Sequence, residues 1–145
     1  MHVKLNGNIV DFAGFELPVD YGSILEEHKC VRERVGLFDV SHMGELTVKG
    51  KGAESALNAI VTNDIRGMYD GQVRYSLLPN EKGGAVDDIL IYRKAQDDFL
   101  IVVNASNTEK DSEWFETHLQ GSDYVFENIS DKVAQIAIQG PMSEA

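Results

Sequence analysis

The stretch GGAVDDILIY at Gly83–Tyr92 decides how this chain is read. Two glycines mark a turn, a run of apolar residues follows, and two adjacent aspartates interrupt it. A carboxylate inside an otherwise apolar strand is costly to bury unless it is paired or hydrogen-bonded. A protein that keeps one there commonly uses it. Side chains alternate along a strand. Val86, Asp88, Leu90 and Tyr92 therefore share one face, and Asp87, Ile89 and Ile91 share the other. Asp88 thus stands beside an aromatic ring, the mixture expected of an apolar pocket with a few polar groups. The plain alternative is that both aspartates finish the hairpin turn and face water.

Working outward, Val73–Leu78 and Ala85–Arg93 read as strands of an antiparallel hairpin turning over Pro79–Gly84. Phe99–Val103 is the next strand, after a turn at Asp97 and Asp98 that reads as solvated. Ser106 and Glu109 have the spacing of a capping box, opening a helix that carries Trp114, Phe115 and Leu119. Upstream, Asn8–Phe12 and Glu45–Lys49 read as strands, and Ala53, Ala56, Leu57 and Ile60 give a helix its inner face. Ser23 with Glu26 caps a helix over Ser23–Val35, with Ile24, His28, Val31 and Val35 on one side and Gly36 as its stop. Tyr124–Asn128 and Val133–Ile138 read as strands. Hairpins joined by short helices mean α+β, with antiparallel sheets covered by helices.

The composition excludes several classes. The chain has 145 residues, 43% hydrophobic and 26% charged, enough for one ordinary core or two small ones. The net charge of −11 repels phosphate backbones, so nucleic-acid binding is not expected. No apolar run approaches the ~20 residues of a membrane-spanning helix. Cys30 is the single cysteine and reads as a packing residue within a helix. CxxC, HExxH and EF-hand patterns are missing, so no metal site is expected. The Gly83–Gly84 pair is hairpin punctuation, with no phosphate-loop spacing around it.

Several segments occur in one order: VDFAGFELPVDY at Val10–Tyr21, EEHKCVRERV at Glu26–Val35, GLFDVSHMGE at Gly36–Glu45 and TNDI at Thr62–Ile65. They are followed by the GG-x-x-DD-x-x-x-Y segment, VVNASNTEKD at Val102–Asp111 and IAIQGP at Ile136–Pro141. This ordered set resembles the amino-terminal part of the glycine cleavage system T-protein family, the tetrahydrofolate-dependent aminomethyltransferases. The resemblance runs through nearly the whole chain. Family members are much longer, so residues 1–145 are expected to be an amino-terminal fragment with a trimmed start, ending where QGPMSEA begins another helix. The family architecture implies three domains around a central folate pocket, one of them ferredoxin-like. Residues 1–50 are expected to serve the first domain and 51–145 the second, with the carboxyl-terminal domain absent.

The resemblance also implies a reaction: a one-carbon unit leaves an aminomethyl group on the dihydrolipoyl arm of the lipoylated H-protein. Tetrahydrofolate takes it as co-substrate, ammonia is released and methylenetetrahydrofolate forms. On that basis Asp88 is the expected catalytic carboxylate. Met43, Tyr75, Leu90, Tyr92 and Asn104 are expected with it around the folate, Asn104 against the pterin edge. Read without the family, Met43 is core filler, Tyr75 an ordinary core aromatic and Asn104 a cap or turn residue. His42 is read either as an acid–base group or as a structural hydrogen-bonding residue. The implied compartment is the cytoplasm of a bacterial-type cell, or the mitochondrial matrix if a transit peptide has been removed. Alone, the fragment is expected to fold without catalysing. Two other readings stay open on the sequence: a folate-binding domain of the sarcosine or dimethylglycine dehydrogenase type, and a non-catalytic folate-binding module.

Overall fold

The computed structural model describes residues 1–119, 121 and 123–144. The chain divides into two compact units, residues 1–42 with 134–145, and residues 43–133. Where a linear division at residue 50 would part them, the strand beginning at Gly44 instead belongs to the second unit, and the last strand returns to the first.

The second unit holds a five-stranded antiparallel sheet. Its strands are β4 (Gly44–Lys49), β5 (Val73–Pro79), β6 (Ala85–Ala95), β7 (Asp98–Val103) and β8 (Val125–Asn128), in the spatial order β5-β6-β7-β4-β8. Helices α2 (Ala53–Ile60) and α3 (Thr108–His118) supply Ala53, Leu57 and Phe115 to its core. There they meet Leu46, Val48, Leu78, Ile89, Ile91, Phe99, Ile101 and Val103. The α2 side chains sit at the i, i+3, i+4 spacing that makes one apolar stripe, and this burial is what holds so short a helix. The β5–β6 turn is built by Asn80, whose Oδ1 accepts from the backbone N–H of Lys82 and Gly84, with Gly83 at φ 80° where a side chain would be strained. The outer edge of β5 is covered by the Thr62–Asn63 segment, which bonds the carbonyls of Leu77 and Tyr75.

The first unit, described by itself, contains the hairpin β1 (Ile9–Phe12) and β2 (Phe15–Pro18), helix α1 (Ile24–Glu33), and the antiparallel pair β3 (Gly36–Asp39) and β9 (Ile136–Gln139). Ser23 caps α1 by accepting from the Glu26 N–H, as its position predicts. The reciprocal acceptor is Glu27, whose Oε1 accepts from the Tyr21 and Ser23 amides in place of Glu26. The helix ends at Glu33, and Gly36 starts a strand where a helix stop was expected. A Cβ there would lie 2.5 Å from Val31 Cγ2, so glycine allows the chain to turn back against the helix. Cys30 is half-buried and donates to the Val35 carbonyl at 3.4 Å. Pro141–Glu144 form a turn after β9, and Ala145, the end of the expected helix start, lies outside the described residues.

Antiparallel sheets covered by helices agree with the expected class. Two local expectations fail. Ser106 caps nothing: it sits inside a 3₁₀ turn over Ala105–Asn107, and α3 begins only at Thr108. Asp98 opens β7 and pairs with Lys49 at 3.6 Å, where a solvated turn was expected. Among the described residues no helix is long and apolar enough to cross a membrane.

Candidate active site

The two faces of β6 have opposite fates. Asp87, Ile89 and Ile91 point into the core and are 8%, 2% and 0% exposed. Asp88 is exposed, with Leu90 and Tyr92 half-buried beside it. Strand register then sets neighbours across the sheet. Tyr75 stands opposite Leu90, and Leu90 opposite Val102, which stands opposite Glu45. Leu77 stands opposite Asp88, and Val73 opposite Tyr92. An open sheet face therefore carries Tyr75, Leu77, Asp88, Leu90 and Tyr92 together.

Asn104 closes one end of this face. It follows the last residue of β7 and precedes the 3₁₀ turn, and Thr108 secures it by donating its hydroxyl to the Asn104 carbonyl at 3.3 Å. The Asn104 Nδ2 donates to Asp88 Oδ1 at 3.2 Å, to the Asp88 carbonyl at 3.1 Å and to Asp87 Oδ1 at 2.9 Å. The amide nitrogen is thus spent on the two aspartates, and Oδ1 is the atom the amide offers to a ligand. Tyr75, more than half exposed, stands near enough to the Asp88 carboxylate to feel its charge. Desolvation first, and then the Asp88 charge, push its phenol above the ordinary range, so the hydroxyl stays a donor. An anionic carboxylate, an amide acceptor and a phenol converge beside three apolar side chains. Such a face suits a flat heteroaromatic ligand bearing N–H groups.

Met43 immediately precedes β4, whose Gly44 pairs with Val103. The glycine of SHMGE has a steric cause: a Cβ would fall 2.5 Å from Thr108 Oγ1 and 2.6 Å from Val103 Cγ2. His42 belongs to the first unit and packs edge-on against Phe12 at 5.5 Å, with its buried Nδ1 unpartnered among the described residues.

Three groups went unread as site residues in the sequence. Asp87 is neither solvated nor free, as it also accepts from Asn107 Nδ2 at 3.0 Å. Burial raises its pKa, but hydrogen bonds from Asp111, Asn104 and Asn107 more than offset that and leave it below the ordinary carboxylate value. Asp111, on the inner side of α3, is 0% exposed; burial, then the hydrogen bond and charge of Asp87, push its carboxyl up to about 8. Glu45 is 1% exposed and burial pushes it up to about 7. The signal for Asp111 was present: it lies four residues before Phe115, on the apolar side of a helix.

Fold and site together define an α+β domain with an acid–amide–phenol cluster on an open antiparallel sheet. Residues 1–145 match the family model described as the GCVT N-terminal domain, and the chain belongs to that family. It is 54% identical over 145 residues to the aminomethyltransferase of Chloroherpeton thalassium, covering 100% of this chain and 40% of that protein. It is 48% identical over 144 residues to the aminomethyltransferase of Clostridium botulinum, covering 99% and 39%. The crystal structure of glycine cleavage system aminomethyltransferase T from Bartonella henselae superposes with a TM-score of 0.86 at 33% identity, over 98% of this chain and 39% of that one. The chain thus spans about 40% of the length of the relatives it matches.

Proposed function

We propose that this chain, within a polypeptide of its relatives' kind, takes part in aminomethyl transfer to tetrahydrofolate. The single observation behind this reading is the Tyr75–Asp88–Asn104 cluster, in a chain whose relatives are named aminomethyltransferases. The donor is an aminomethyl group on a thiol of the dihydrolipoyl arm of the H-protein. The carbon's bonds to sulfur and to nitrogen break, two new bonds to tetrahydrofolate nitrogens form, and the protons those nitrogens lose leave on ammonia and the freed thiol. No electrons change hands.

The residues present fit a pterin. Asn104 Oδ1 accepts from its N–H edge, and Tyr75, Leu90, Tyr92 and Met43 supply apolar contact. Asp88 binds a folate nitrogen, orients it and stabilises the positive charge that develops on the transferred carbon. An anionic carboxylate held by an amide donor needs little reorganisation to do this. Asp88 is the catalytic group in this reading, because Asp87 turns inward and is committed to two amides.

Ammonia release from aminomethyl-loaded H-protein tests the proposal on the intact gene product. Release is expected to accelerate by orders of magnitude when tetrahydrofolate is added, with methylenetetrahydrofolate formed in equal amount. Release that ignores tetrahydrofolate would reject it.

A further inference from the structure

We propose that Asp87 and Asp111 share a single proton, and that this buried acid pair is a positioning device which fixes the Asn104 amide and, through it, the Asp88 carboxylate. The inference rests on the reading of Asp88 and Asn104 as ligand-facing groups. Its geometry is independent of the reaction.

Both acids lie in the core, Asp111 fully buried and Asp87 nearly so. Two carboxylates are acceptors only, and one hydrogen bond between them requires a proton. Like charges at such range do not both ionise in a low-dielectric core. Without a shared proton, Asp87 Oδ2 and both Asp111 oxygens stand buried and unpartnered. With it, one Asp111 oxygen donates to Asp87, and the charge stays on Asp87. The remaining Asp87 oxygen, Oδ1, is the one that accepts from Asn104 at 2.9 Å and Asn107 at 3.0 Å.

The charged groups acting on Asp111 are Asp87 and Asp88 from β6 and Lys110 from its own helix. Lys110 does not neutralise the pair. Its Nζ is 3.9 Å from Asp111 Oδ1, the side chain is half exposed, and it donates instead to the Val86 carbonyl at 2.7 Å. Asp111 therefore keeps its proton near neutral pH, and gives it up as pH rises through about 8. Two facing carboxylates then repel, and the anchor of Asn104 loosens. An amide turned by half a rotation would present N–H groups where Oδ1 now faces the ligand. Misplacement of this kind costs ~10–100-fold in rate.

The test follows the Asn104 side-chain NH2 resonances by NMR in the intact gene product with isotope-labelled asparagine, as pH is raised. The wild-type signal is expected to shift with a midpoint near 8. Asp111→Asn keeps a donor to Asp87 without a titrating proton, and should abolish that shift. In turnover, Asp111→Ala should lower kcat ~10–100-fold with little change in KM, and Asp111→Asn should restore most of it and remove the alkaline fall in rate. An Asn104 signal that is flat with pH in the wild type, or that titrates equally in Asp111→Asn, would overturn the proposal. The NMR result decides it even where no aminomethyl transfer is found, which would count against the function instead.

Discussion

Replacing Asp88 with Asn is expected to leave the fold intact and to lower kcat for aminomethyl transfer by ~100–1,000-fold, the scale of losing one preorganised electrostatic partner. The fold should survive because Asp88 is exposed and its neighbours in the sheet are held by main-chain pairing. The substitution keeps the shape and removes the charge. An amide still meets a folate nitrogen, so binding should weaken far less than turnover, and the loss should appear in kcat. Asp87→Asn should act differently. It removes the acceptor charge that holds two amides and unpairs Asp111, so its deficit should come with reduced thermal stability. Steady-state kinetics beside thermal unfolding separates the two cases. Equal losses of kcat at unchanged stability for both variants would remove the distinction between the faces of β6.

Phe115→Ala carries the largest expected effect on stability. Phe115 is fully buried where α3 meets the sheet, stacked on Phe126 of β8 with ring centroids 5.8 Å apart. It belongs to the cluster that joins α2, α3 and the strands, so truncation leaves a cavity at the centre of the second unit. Such changes cost ~3–5 kcal/mol, a large part of what a domain of this size possesses. Urea unfolding should show the unfolding free energy lowered by that amount, seen as an earlier midpoint with the slope little changed. A loss under ~1 kcal/mol would mean that α3 does not anchor the core as the packing indicates.

The alternation along Val86–Tyr92 was legible because a strand admits only two faces. Which face lies inward was not, since each carries one aspartate among apolar residues. That choice is made by α2 and α3, whose apolar stripes are far away in sequence. β3 escaped notice for a related reason: Gly36–Asp39 pairs with Ile136–Gln139, and so distant a partner leaves no local trace. β2 was missed because its two-residue turn uses Ala13 at φ 53° before Gly14, without the Asn-Gly or Asp-Gly signal of such turns. Ser106 had the spacing of a cap but not the backbone, since a 3₁₀ turn takes up the residues in which the capping box would form.

The candidate site shows the same division. Asp88, Tyr75 and Asn104 were named from strand alternation and family likeness, and the sheet brings them within reach of one another. Asp87, Asn107 and Asp111 were invisible as a group, because their association depends on how α3 lies over β6. A carboxylate on the inner side of a helix was the one available hint.

The most direct measurement is a crystal structure of the intact protein with tetrahydrofolate bound. A folate nitrogen should lie within hydrogen-bond distance of the Asp88 carboxylate, and the pterin edge should meet Asn104 Oδ1, with Tyr75, Leu90 and Tyr92 against the ligand. Folate bound elsewhere, with the Tyr75–Asp88–Asn104 face untouched, would contradict the account.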